Sequence, residues 1–157
     1  MYNKILLGID KSENAQRAAK KVIKLQKLTG ADVVAFHAAN VHHVPKVMPV
    51  TVPMQPAAGY IATDPSFEAR RAALKESGRV ILGKTTKLFE EHDIPVETRL
   101  ITDMDPEEYA LEAIEKDEFD LVVIGCKGDH SKLERIFLGT TAQKLVNEAG
   151  CDVLIVR

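Results

Sequence analysis

The sequence predicts an α/β fold, a doubly wound five-stranded parallel sheet with helices on both faces, and three observations carry that expectation. Short apolar runs alternate with amphipathic stretches of helical period along most of the 157 residues, the pattern of repeated βαβ units. Leu121, Val122, Val123 and Ile124 are apolar at every position, as a central strand covered on both faces must be. The first apolar run turns abruptly polar at Asp10 and another ends at Gly125, which places candidate ligand groups at the carboxyl edge of the sheet.

In chain order, Ile5, Leu6, Leu7 and Ile9 read as a buried strand ending near Asp10. Ala15, Ala18, Ala19, Val22 and Leu25 recur at helical spacing among lysines, and Gly30 supplies a stop. A second strand is expected over residues 33–37. Residues 39–65 contain Pro45, Pro49, Pro53, Pro56 and Pro65, which interrupt ladders and helices and predict a long loop. Asp64 and Pro65 resemble an N-cap and first helical position, and Leu74, Gly78, Ile81, Thr85 and Leu88 form one stripe of a helix running to about His92.

A third strand is expected over residues 96–101, and Asp105 and Glu108 have the spacing of a capping box opening a third helix. After the strand that ends at Gly125 comes a glycine loop. Thr140 and Gln143 again have capping-box spacing, Leu145, Val146 and Ala149 recur at helical spacing, Gly150 stops the helix, and residues 153–156 make the last strand. The whole chain, residues 1–157, is expected to be one domain interrupted by the Pro-rich loop.

Composition narrows the function classes. Hydrophobic residues make up 45% and charged residues 28%, with a formal charge of −2, and this balance lacks the basic excess of a nucleic-acid binder. Cys126 and Cys151 are far apart and outside any zinc spacing, which fits a reducing, cytoplasmic setting. No apolar run approaches the length of a membrane span or of a signal-peptide core. Neither nucleic acid nor membrane is an expected partner.

Chemistry is expected at Gly8 and Asp10 after the first strand, and at Gly125, Gly128, Gly139, Thr140 and Thr141 around the last helix. Glycines let backbone N–H groups approach an anion, and a helix start adds unpaired donors, a favourable dipole and here two hydroxyls. A competing motif, GRVILGKT at residues 78–85, satisfies the Walker A pattern. Its context is wrong, because it follows ARRAALKES rather than a strand and lies on the stripe of a predicted helix.

The remaining candidates receive structural readings. His37 is expected in a strand end or pocket wall. His42 and His43, adjacent in sequence, are expected to point apart, with no carboxylate or Cys at ligand spacing beside them, so no protein metal site is predicted. Cys126 fits the glycine loop by its small size, Lys127 is solvated or screens phosphate, and Asp10 has a turn-stabilising role as its structural alternative.

The stretch GCKGDHSKLERIFLGTT is similar to the G-x2-G-x9-G-[ST] motif of the nucleotide-binding universal stress proteins. The resemblance extends through KILLGIDKSENAQRA, VVAFHA, DPEEYALEAIEKDEFDLVVIG and TTAQKLVNEAGCDVLIVR. It implies an adenine nucleotide alpha hydrolase-like fold with Asp10 at the adenosine end of the ligand and Gly8 and Ala38 lining its pocket. Gly125, Gly128, Gly139, Thr140 and Thr141 are implied around the phosphates. It also implies a homodimer paired through the last strand.

Two departures stand out: ten residues rather than nine separate Gly128 from Gly139, and Met104 stands where many relatives have glycine. The expected function is a stress-response switch that binds ATP or another adenine nucleotide, with Mg2+ or Mn2+ on the phosphates, and acts through a dimer on an unidentified protein partner. Any ATP hydrolysis is expected to be slow. The alternatives are a scaffold of the same fold that binds no nucleotide, or a phosphotransferase using Gly78, Lys84 and Thr85.

Overall fold

The computed structural model describes residues 1–50, 60–63, 65–126 and 138–157, with the backbone alone described for 47–50 and 60–63. Strand β1 (Lys4–Gly8) leads into helix α1 (Glu13–Thr29) and strand β2 (Asp32–Ala38). A 3-10 turn at Val41–His43 and the strands β3 (Val47–Val50) and β4 (Tyr60–Thr63) precede helix α2 (Phe67–Glu90). Strand β5 (Glu97–Ile101), helix α3 (Pro106–Asp117), strand β6 (Leu121–Gly125), helix α4 (Thr140–Glu148) and strand β7 (Asp152–Val156) complete the order.

The main sheet has the order β5-β2-β1-β6-β7 and every pairing is parallel, so the doubly wound five-stranded expectation holds. The chain winds outward from β1 to β5, then crosses back to β6 on the other side of β1. That reversal opens a crevice between the carboxyl ends of β1 and β6.

Alternation along β1 divides the core into two layers. Ile5, Leu7 and Ile9 pack with Ala15, Ala18, Ala19 and Val22 of α1 and Leu82 and Phe89 of α2. Leu6, Val34, Phe36 and Val122 face the opposite layer with Ala110, Ala113 and Ile114 of α3 and Ala142 and Leu145 of α4. The alanines on α1 let the helix axis lie close to the sheet. α1 starts at Ser12, whose Oγ accepts from the Ala15 N–H at 3.2 Å, and ends at Gly30 with φ 73°, a left-handed cap that glycine adopts without steric cost.

Several local expectations are corrected. Residues 39–65 are not all loop, because β3 and β4 pair antiparallel, with Pro49 opposite Ile61. An isolated two-stranded ribbon tolerates a proline that a central strand would reject. The N-cap of α2 is Ser66, and Asp64 lies outside the described residues. Asp105 does occupy the N-cap of α3, but its side chain makes no capping bond. α4 is capped by Gly139 rather than Thr140, and it ends at Ala149 in extended conformation, one residue before Gly150.

The two sheet edges differ. β5 carries the charged pair Glu97 and Arg99, whose guanidinium also bonds Asp117. Burial pushes the Arg99 guanidinium down, but its bonds to Asp117 and Glu97 outweigh this and hold it above its ordinary value. β7 instead leaves Val153, Leu154 and Ile155 half-buried at the other edge.

Candidate functional site

A cavity of about 740 Å3 sits in the crevice at the winding reversal, within the usual range for small-molecule sites. Gly8 and Asp10 line it from the end of β1, Ala38 from β2, Gly125 and Cys126 from β6, and Gly139, Thr140 and Thr141 from the start of α4. Seven of the eight expected ligand residues therefore converge here, although their sequence positions span 8 to 141. The eighth, Gly128, lies outside the described residues together with Lys127 and the extra position of the glycine loop.

Three helix N-termini open on the same cavity: Ser12 and Ala15 of α1, Asp105, Pro106 and Glu107 of α3, and Gly139, Thr140 and Thr141 of α4 all line it. Each terminus carries partial positive charge and N–H groups without intrahelical partners. Lys11 adds a full cation to the lining. The carboxylates of Asp10, Asp105 and Glu107 also line the cavity, so an anionic group is favoured locally at the α4 start, whose own first turn carries no carboxylate. Apolar walls come from Ile9, Phe36 and Ile81.

Close packing fixes the mouth of this cavity. A Cβ added to Gly125 would lie 2.9 Å from the Ala15 backbone nitrogen and 2.9 Å from Asn14 Cβ, so a glycine is what allows α1 to begin directly against the end of β6. Cys126 is buried, its N–H donates to the Val156 carbonyl at 2.8 Å, and its carbonyl accepts from Gly139 N–H at 2.9 Å. Asn14 Nδ2 donates to its sulfur at 3.3 Å. The small-residue reading of Cys126 agrees with this confinement.

Asp10 Oδ1 accepts the Ser12 N–H at 2.9 Å, so the turn-stabilising role is present in a residue that also lines the cavity. His37 bonds the Ile9 carbonyl through Nδ1 at 2.8 Å and forms part of the wall. Thr141 Oγ1 donates to Glu107 Oε2 at 2.9 Å, tying the start of α4 to that of α3. Met104 is half-buried and is not among the described lining residues. Sequence reasoning missed Lys11, Asn40, Asp105 and Glu107 as lining groups. Only their place just beyond predicted strands signalled them.

The Walker-like segment contributes only the apolar side chain of Ile81 to the cavity lining and does not form a phosphate loop. Residues 78–85 lie inside α2, where Gly78, Leu82 and Thr85 are buried toward the sheet, and Thr85 Oγ1 donates to the Ile81 carbonyl at 3.1 Å. A Cβ on Gly78 would come within 2.5 Å of Leu100 Cδ1 and 2.9 Å of His37 Cδ2. This glycine therefore serves helix-to-sheet approach, and the backbone N–H groups needed to cradle phosphate are committed to the helix.

One expectation about the histidines fails. Asn40 is left-handed (φ 49°) and turns the chain into the 3-10 segment, where the His42 and His43 rings lie side by side with centroids 4.1 Å apart. Both Nε2 atoms reach Asp105 Oδ1, at 3.2 Å and 2.7 Å. Flexible imidazole torsions overcome the divergence expected of neighbouring residues, and the carboxylate comes from 62 residues further along the chain. The hydrogen bond from His43 is the main cause holding the Asp105 carboxyl below its ordinary value.

Comparison with known proteins agrees with this architecture. The model of the universal stress protein family matches residues 1–157. A universal stress protein of Methanocaldococcus jannaschii is 31% identical, with all of this chain and 83% of that protein aligned. The solved structure of universal stress protein UspA from Lactobacillus plantarum superposes with a TM-score of 0.75 at 22% identity, covering 99% of this chain and 98% of the other.

Two further solved structures have the same fold and carry nucleotides. The universal stress protein from Archaeoglobus fulgidus in complex with dAMP has a TM-score of 0.66 at 15% identity, covering 99% and 98% of the two chains. The Arabidopsis thaliana family protein with AMP bound has a TM-score of 0.62 at 16% identity, covering 98% and 90%. The full-length family match and the sheet order together place this chain in the universal stress protein family.

Proposed function

We propose that this protein binds an adenine nucleotide in the cavity between β1 and β6 and works as a nucleotide-dependent regulator. The observation that carries the reading is the convergence of Asp10 and of the Gly139, Thr140 and Thr141 helix start on one cavity. The adenosine end lies by Gly8, Asp10 and Ala38, and the phosphates by Gly125, Gly128, Gly139, Thr140 and Thr141, with Mg2+ or Mn2+ held through the phosphates. The dAMP and AMP complexes of the family members support adenine as the base.

Hydrolysis is slow in this reading. A fast ATPase needs a group free to orient water and others to stabilise developing charge. Each carboxylate of the lining is engaged within the protein, Asp10 by Ser12 N–H, Glu107 by Thr141 and Asp105 by two histidines, so any of them that orients water does so while sharing its oxygens with that bond.

Calorimetric titration of the nucleotide-stripped protein with ATP and magnesium is expected to give micromolar binding, of about −8 kcal/mol, that is abolished when Gly128 is replaced by a bulky residue. Binding unaffected by that replacement would place the phosphates elsewhere. Absence of binding by the parent protein would support the scaffold reading, in which the lengthened loop after Gly128 has lost phosphate contacts.

The same reading includes a homodimer through β7. That edge is apolar where β5 is charged, and a groove of about 440 Å3 lined by Tyr2, Leu25 and Leu154 lies beside it; an uncovered edge of this kind invites strand pairing. Light scattering is expected to give twice the 17.3 kDa chain mass, with Leu154→Lys shifting the protein to monomer. A purely monomeric parent at micromolar concentration would refute the pairing.

A further inference from the structure

The structure assigns a transition-metal site to His42 Nε2, His43 Nε2 and Asp105 Oδ1, distinct from the phosphate-held cation. The three ligand atoms lie within 4.8 Å of one another. Zinc bound tetrahedrally at ~2.0–2.1 Å keeps its ligand atoms about 3.3–3.4 Å apart. The two histidine–carboxylate separations, 3.2 Å and 2.7 Å, are hydrogen-bond distances shorter than that, and the 4.8 Å spread is longer, so rotation of two accessible imidazoles opens the one and closes the other to complete the geometry.

A second observation comes from Asp105 itself. It occupies the N-cap of α3 with capping backbone geometry (φ −71°, ψ 153°), yet its side chain makes no bond to that helix. An aspartate at this position ordinarily satisfies an N–H of the first turn. Here its oxygen is turned to the paired imidazoles instead and receives both Nε2 contacts, which gathers the three donor groups before any ion is bound.

The donor set selects the metal. Two neutral imidazoles and one carboxylate suit Zn2+ and its neighbours Co2+, Ni2+ and Cu2+, whereas Mg2+ prefers oxygen donors and retains its waters. Three protein ligands leave a fourth position for water or another donor. Because Asp105 also lines the large cavity, the ion sits at its rim and joins the 3-10 turn to the start of α3.

Untagged, nucleotide-free full-length protein is to be titrated with Zn2+, and in parallel with Co2+ while visible absorption is recorded. One ion per chain is expected, with Co2+ showing d–d bands of imidazole nitrogen ligation, and excess Mg2+ displacing neither ion. His43→Ala and His42→Ala each are expected to weaken Zn2+ by at least about 100-fold, more than loss of an outer-shell contact does. Asp105→Asn is expected to weaken it as well, while His92→Ala and Cys151→Ser leave it unchanged. Circular dichroism and thermal melts confirm that each variant is folded. No zinc uptake at tens of micromolar, or uptake that survives His42→Ala/His43→Ala, overturns the assignment. Neither outcome bears on ATP binding, which is absent from this experiment.

Discussion

Phe89→Ala is expected to lower the free energy of unfolding by about 3–5 kcal/mol, the range for truncating a fully buried phenylalanine. Phe89 is 0% exposed and lies in the last turn of α2. The buried face of that long helix consists of Gly78, Leu82, Thr85 and Phe89, so only two large apolar side chains anchor it completely. Gly78 and Thr85, the other buried members of that face, are too small to refill the void.

The cost is therefore both the transfer of the ring and the cavity it leaves behind. Chemical denaturation checks this through a lower midpoint with an unchanged slope, which identifies a loss of stability rather than a change in the unfolded state. Val146→Ala, at a residue 51% exposed, serves as the control and should stay within about 0.5 kcal/mol. A loss below about 1 kcal/mol at Phe89 would mean that α2 is not held to the sheet by this packing.

Asp10→Ala is expected to weaken ATP and adenosine alike by about 10- to 100-fold, the equivalent of one hydrogen bond to a charged group at about 1.5–3 kcal/mol. In the proposed pose Asp10 meets the adenosine end, so loss of its carboxylate affects both ligands. Thr140→Val, at the phosphate end, should instead weaken ATP while leaving adenosine unchanged. Calorimetry with both ligands on both variants separates the two ends of the site.

The turn bond from Ser12 N–H to Asp10 Oδ1 offers a control for indirect effects. Asp10→Asn retains an oxygen able to accept that bond while losing the charge. If affinity tracks the charge, Asn should behave like Ala; if the turn alone matters, Asn should behave like the parent. Unchanged adenosine affinity in Asp10→Ala would refute the assigned ligand orientation.

Much of the architecture was legible because hydrophobic pattern and secondary structure share a period. The continuous run ending at Gly125 marked a central strand, and the alanine stripe of α1 with Gly30 behind it marked a helix and its stop. Helix ends were less legible. Ser66, Asp105 and Gly139 are the caps, but the sequence spacing of carboxylates and hydroxyls does not reveal which side chain will bond the backbone and which will find a distant partner. The β3–β4 ribbon escaped a reading centred on proline because a two-stranded pair, both strands of which are edges, tolerates what a central strand does not.

Local pattern by itself determined the succession of the helices and of the main-sheet strands and marked glycine-rich junctions as candidate ligand positions. Tertiary structure decided that Gly8, Ala38, Gly125 and Thr140 line one cavity, and that the Walker-like segment belongs to a packed helix. It also joined His42 and His43 to Asp105. Pattern is written in neighbours a few residues apart, whereas these sites arise from strand order and helix crossings, which bring residues tens of positions apart within a few ångströms.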